Sequence, residues 1–182
     1  MSCTLTGGRQ KPCKDAVGGI KKIYFVDFGG LNDITTTNDE VTDANGTFNY
    51  HRYDVKGNSS LETNINTSLE NGTTFFEQNL SVSLHKLTKE DNKELKLIAF
   101  GRPHIVVQTF DDKFLLVGMQ HGAEVTGGTM VTGTAMGDMQ GYTLEFTANE
   151  TTMPNFINGG QDNNPFAGLG SATETQSTLR TP

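Results

Sequence analysis

The chain has no tryptophan, two cysteines and five prolines, and nowhere does it string together the ~18 apolar residues that a membrane-spanning helix needs. A transmembrane protein is therefore not expected, nor membrane binding by the chain itself. The first residues, Met1-Ser-Cys-Thr-Leu-Thr-Gly-Gly-Arg9, hold no apolar stretch of the kind a secretory leader carries, so export by that route is not expected. Cys3 and Cys13 form no C-x-x-C pair, which leaves a structural zinc site without its ligands. A bridge between them is geometrically allowed, but free cytosolic thiols are the better reading. Cations are also scarce: 14 Lys and Arg face 21 Asp and Glu, a net charge of −7. A sequence-reading nucleic-acid binder would usually present a basic face, so that class is disfavoured.

What is present is enough for one domain. The 182 residues fall in the usual single-domain range of about 100–200. The apolar share is 34%, and 21 glycines raise it near the roughly 45–50% typical of globular chains. The charge is unevenly spread. Residues 1–22 carry Arg9, Lys11, Lys14, Lys21 and Lys22 against Asp15, a local balance of +4 that leaves −11 for the other 160. Two readings of this basic arm stand: a solvated tail, or a segment that docks on an acidic surface such as that of another copy.

Periodicity predicts strands. Lys22-Ile-Tyr-Phe-Val-Asp-Phe28 is a β-branched and aromatic run ending at Gly29-Gly30. Residues 31–47, rich in Asn, Thr and Asp, read as an extended loop with a turn at Asn45-Gly46, and 48–55 as a strand. From 61 to 70 the alternation is strict: Leu61, Thr63, Ile65, Thr67 and Leu69 against Glu62, Asn64, Asn66, Ser68 and Glu70. Asn71-Gly72 then reads as a two-residue hairpin turn. Closing on it sets Leu61 against Val82, Thr63 against Leu80 and Thr67 against Phe76, so both apolar sets share one side. The other side carries Glu62, Asn64, Asn66, Ser68 and Glu70 opposite Glu77, Asn79, Ser81, Ser83 and His85, with no Lys or Arg. An ordinary wet sheet mixes lysines among its acids. This face selects one sign of charge.

Thr88-Lys-Glu-Asp91 resembles a capping box and predicts a helix over 89–100, with Leu95, Ile98 and Ala99 on one stripe and Gly101 as its stop. Strands are expected at 104–110, 114–119, 124–134 and 142–146. Residues 153–182, poor in apolar side chains, are expected to lie outside the core as a flexible or partner-ordered tail. The expected domains are thus a basic arm (1–22), a β-rich domain (23–152) and that tail.

No catalytic constellation emerges. His51, His85, His104 and His121 make no metal-ligand pair, and neither a G-x-S-x-G elbow nor a phosphate-binding glycine motif is present. Asp111-Asp112 is accounted for by a tight turn. The expectation is a non-enzyme with no cofactor and no metal.

The long polar-faced hairpin 61–87, the single helix 89–100 and the strand run around them resemble the tail tube family of bacteriophages and injection systems. The runs Gly18-Gly-Ile-Lys-Lys-Ile-Tyr24 and Gly141-Tyr-Thr-Leu-Glu-Phe146 also look like tailed-phage structural proteins. The resemblance covers about 18–150. It implies a mainly β fold, a sandwich or barrel with one packing helix, and six copies closing into rings that stack into a DNA-conducting tube. It further implies that the hairpin lines the channel, that 30–60 contacts the adjacent ring, and that the protein is assembled in the host cytoplasm into the virion tail with other tail proteins. On that reading Glu62, Asn64, Asn66, Ser68, Glu70, Glu77, Asn79, Ser81, Ser83 and His85 face the lumen while DNA passes transiently. Arg9, Lys11, Lys14, Lys21 and Lys22 are the candidate inter-ring contacts. The alternative is another non-enzymatic virion β-sandwich, such as a neck or tail-tip ring, a decoration protein or a glycan binder.

Overall fold

The computed structural model describes residues 7–11, 14, 16–55 and 58–180; Cys3, Cys13 and Asp15 lie outside the described residues. The elements are β1 (Ile20–Val26), β2 (Asn32–Thr37), β3 (Glu40–Asp54), β4 (Ser60–Ser68), β5 (Thr73–His85), α1 (Lys89–Phe100), β6 (His104–Thr109), β7 (Phe114–Val117), β8 (Glu124–Val131), β9 (Gly141–Glu150), β10 (Asn155–Ile157) and β11 (Ala172–Gln176). The fold is mainly β, as the periodicity predicted, and the described residues form two packed sheets and one helix, the sandwich that the resemblance implied.

The first sheet closes on itself. β1 pairs with β6, β6 with β7, β7 with β10, β10 with β3, and β3 returns to β1. β2 and β11 attach to the same long β3. The second sheet is fully antiparallel in the order β4-β5-β9-β8.

Closure makes two cores. Tyr24, Val26, Tyr50, Val106, Leu116 and Phe166 fill the closed sheet. Ile23, Phe25, Ile105, Val107 and Val117 point the other way, onto Leu80, Val82, Phe146 and Ala148 of the second sheet. β1 is thus covered on both faces. That is why Ile23-Tyr-Phe-Val26 reads as an unbroken apolar run rather than an alternating one.

The helix begins and ends where expected. Thr88 Oγ1 accepts the Asp91 N–H at 3.0 Å, and the Gly101 N–H returns to the Ile98 carbonyl at 3.1 Å. Leu95 is buried and Ile98 packs on the core, whereas Ala99 is exposed.

Four expectations are corrected. Residues 31–47 are not an extended loop but β2 and the start of β3. Thr37 pairs with Glu40, and Asn38 and Asp39 between them have φ of 53° and 62°, the double left-handed geometry of a tight two-residue turn. β2 is Thr-rich and almost wholly exposed, so it has no apolar alternation to betray it. The second correction concerns the long hairpin. Leu61 pairs with Leu80, Thr63 with Gln78 and Thr67 with Thr74, two residues away from the expected register. Its connection has four residues, 69–72, in which Gly72 but not Asn71 takes positive φ, and the Asn71 N–H donates to Ser68 Oγ at 3.3 Å. A slip of two preserves the side-chain parity, so the facial assignment survives.

The other two corrections are at the ends. Lys21 and Lys22 belong to β1 rather than to an arm. The segment from 153 is part of the fold. β10 runs parallel to β3 and antiparallel to β7, and β11 runs parallel to β3. Phe166 is fully buried, edge-on to Phe48 at 5.0 Å and to Tyr50 at 5.6 Å between ring centroids. Few large side chains are needed there, because the other strands already line most of the cavity that they plug.

Candidate functional site

The outward face of the second sheet is built by simple alternation. Leu80, Val82, Tyr142, Leu144 and Phe146 are the inward-pointing residues of β5 and β9, so their neighbours must point away. On this face Ser60 of β4 pairs with Ser81 of β5, Glu62 with Asn79, Asn64 with Glu77 and Asn66 with Phe75, an exposed aromatic ring near the turn. Pairing with β9 adds Thr143, Glu145, Thr147 and Asn149, and the edge strand β8 adds Glu124, Thr126 and Thr129. No lysine or arginine occurs anywhere in β4, β5, β8 or β9. Four glutamates, Glu62, Glu77, Glu124 and Glu145, therefore set the sign of a wet, four-stranded surface.

Short polar bonds fix that surface. Thr147 Oγ1 donates to Asn79 Oδ1 at 2.8 Å, and Thr126 and Thr147 share a hydroxyl contact at 3.3 Å. Asn66 Nδ2 donates to Glu77 Oε2 at 3.3 Å. Glu70 sits exposed in the connecting turn, Ser68 caps that turn, and His85 is exposed at the far end of β5. Ser83 is the exception: it is buried beneath 58–59, its N–H donating to Ser59 Oγ and its hydroxyl to the Asn58 carbonyl, both at 3.1 Å. The β9 contribution was within reach of the sequence, since Gly141-Tyr-Thr-Leu-Glu-Phe146 alternates. The β5–β9 pairing was not, because it joins segments some 65 residues apart along the chain, Leu80 to Phe146.

The opposite, apolar face of the hairpin is incompletely covered. Ile65 is 56% exposed and Leu69 fully exposed, so the hairpin outruns the closed sheet that packs beneath it. β4 and β8 are the two edges of their sheet, and each leaves one side of its backbone unpaired by another strand. On the helix, Leu97 and Phe100 also face solvent.

The five candidate basic contacts separate into two groups. Arg9, Lys11 and Lys14 are exposed and outside regular structure. Lys21 and Lys22 are engaged within the chain. Lys22 Nζ donates to Asp162 Oδ1 at 2.6 Å and to Asn163 Oδ1 at 2.7 Å, and Lys21 Nζ donates to Asp112 at 2.9 Å. Gln108, itself fully buried, donates to both aspartates and accepts the Tyr24 hydroxyl at 2.9 Å. The hydrogen bond from Lys22, then that from Gln108, holds the Asp162 carboxyl well below its usual range. Burial raises the Tyr24 hydroxyl far above its own. This cluster ties the segment around 162 to the rim of the closed sheet.

Several other buried polar groups have structural partners. The Glu150 carboxylate, 2% exposed as a residue, accepts the Gln120 and His121 N–H groups at 2.9 and 2.8 Å. Gln78 accepts the Gly118 N–H and donates to the Thr152 carbonyl, both at 3.1 Å. His104 Nδ1 lies 2.7 Å from the Gly118 carbonyl, and burial pushes its pKa down. With Nδ1 protonated toward that carbonyl, Nε2 is left to accept the Gly29 N–H at 3.4 Å. Among the described residues no group of three or more His, Cys, Asp or Glu side chains is placed to hold a metal, and no helix is long and apolar enough to cross a membrane. Set against protein-family models, curated proteins and solved structures, the chain matches none of them.

Proposed function

We propose that this protein is a self-assembling structural subunit whose copies close into rings and stack into a tube that conducts DNA, in the manner of a phage tail tube. It acts without catalysis, cofactor or metal, in a virion tail, with itself and other tail proteins as partners. The observation that carries this reading is the cation-free outward face of the four-stranded sheet. A duplex moving along a protein wall sticks wherever lysine or arginine can displace its condensed counterions, and each such contact is repeated in every copy. Glutamates with Asn, Ser and Thr between them repel phosphate and hold water, so the duplex slides.

Assembly accounts for what a lone copy leaves bare. Ring closure would pair or cover the β4 and β8 edges and the apolar side of the hairpin at Ile65 and Leu69. Stacking would use the exposed Arg9, Lys11 and Lys14 against the acidic body of the next ring. Lys21 and Lys22, bonded to Asp112 and Asp162, are the poorer candidates for that contact. Negative-stain microscopy of the purified chain at high concentration is the test. Rings or stacked tubes with a central bore are expected, and particles that stay monomeric at every concentration would refute the reading.

A further inference from the structure

The chain contains three Asn-Gly dipeptides, Asn45-Gly46, Asn71-Gly72 and Asn158-Gly159, and their surroundings differ sharply. We propose that Asn71 is a site of spontaneous, fold-directed deamidation, and that Asn45 and Asn158 are protected from it. The inference does not depend on the tube reading.

In this reaction the backbone nitrogen of the following glycine attacks the asparagine Cγ. The new N–Cγ bond closes a five-membered succinimide, the Cγ–Nδ2 bond breaks, and ammonia leaves with the glycine amide proton. Water then opens the ring at either carbonyl, giving aspartate or isoaspartate. The only co-reactant is water. The demand on the protein is conformational: the peptide plane between the two residues must rotate until its nitrogen reaches Cγ.

At Asn71 little resists that rotation beyond a long 3.3 Å bond from its N–H to Ser68 Oγ, with no strand partner on either side. The residue lies in the exposed turn at the tip of the hairpin, and Gly72 has φ of 61° with no atom within 4 Å of where a Cβ would stand. At Asn45 the same rotation would break the sheet. Asn45 pairs with Asn32 of β2 and Gly46 with Ala172 of β11, and Gly46 packs so closely on the Gly30 carbonyl that no side chain fits between them. Asn158 is held by its N–H on the Val41 carbonyl at 3.0 Å, and its own carbonyl lies against the backbone of Gly168. Both must wait for local opening, whereas the hairpin tip need not.

The product matters because of where it forms. A neutral carboxamide becomes a carboxylate one residue from Glu70, at the end of a face already rich in glutamate. The isoaspartyl form also lengthens the backbone path through the turn.

The test is to age the full chain at mildly alkaline pH, both native and unfolded in urea, and to locate amide-to-acid conversion by peptide mass spectrometry. Isoaspartyl methyltransferase labelling provides a second readout. In urea all three sites should convert at comparable rates. In the native chain Asn71 should convert at nearly its urea rate, with Asn45 and Asn158 slowed at least about a hundredfold, because they react only from an opened state. Asn71→Gln should abolish the fast native conversion. Equal native rates at the three sites would overturn the proposal, as would an Asn71 that converts in urea but is protected in the fold.

Discussion

Phe166→Ala tests whether the chain beyond 153 is structural. The ring is fully buried among Phe48, Tyr50 and the other side chains inside the closed sheet, with two edge-on aromatic contacts. Truncating a buried phenylalanine costs roughly 3–5 kcal/mol, the lost transfer energy plus the cavity left behind. A domain is stable by about 5–15 kcal/mol, so the variant should lose roughly a fifth or more of its margin. At this size each kcal/mol lowers Tm by about 2–4 °C, placing the expected drop near 6–20 °C. Urea unfolding followed by circular dichroism reads the change as a lower midpoint with an unaltered slope. Phe156→Ala is the internal control, because that ring lies in the same segment but is 43% exposed; its cost should stay below about 1 kcal/mol. If both substitutions cost the same small amount, Phe166 does not plug the core and the segment is peripheral after all.

Three further outcomes are expected. His104 is buried with a lowered pKa, so below its unfolded value of 6.5 the unfolded state takes up a proton that the native state refuses; stability present above that pH should fall as pH drops toward the lowered value, and His104→Gln should flatten that limb of a urea-midpoint profile. Glu150→Ala strands the Gln120 and His121 N–H groups, which should cost roughly 2–4 kcal/mol in urea unfolding; a loss under about 0.5 kcal/mol would mean that water replaces the carboxylate. On the proposed tube function, Glu77→Lys with Asn79→Lys should leave rings intact by microscopy yet impair genome delivery by assembled particles; undiminished infectivity would refute a lumen-facing role for this face.

The sequence made the long hairpin legible because its apolar residues change parity across the turn, from Leu61 and Ile65 to Leu80 and Val82. The helix was legible because Thr88 and Gly101 mark its ends and no stronger signal competes there. What escaped was non-local or polar. The tight turn at Asn38-Asp39 hid because β2 has almost no buried face, so its Thr-rich run looked like loop. Asn71-Gly72 drew the expectation of a two-residue turn, but the longer connection puts only its glycine at positive φ and moves the register by two. At the end of the chain, Phe166 and Leu169 stand among Asn, Gly and Ser and raise no periodic signal, yet both are core. Of the candidate lining residues only Ser83 turned out to be covered, by residues just before β4 that no alternation rule connects to it.

The return of β10 and β11 to β3 also constrains the order in which the molecule can be completed. Val41 must wait for Ile157 and Tyr50 for Gln176, so β3 leaves the ribosome long before its parallel neighbours exist. At about 5–20 residues per second that delay lasts several seconds, during which the nascent sheet stays open and Phe48 and Tyr50 lack the ring that seals them. A chain interrupted before 157 would be not a shorter version of the fold but an unsealed one.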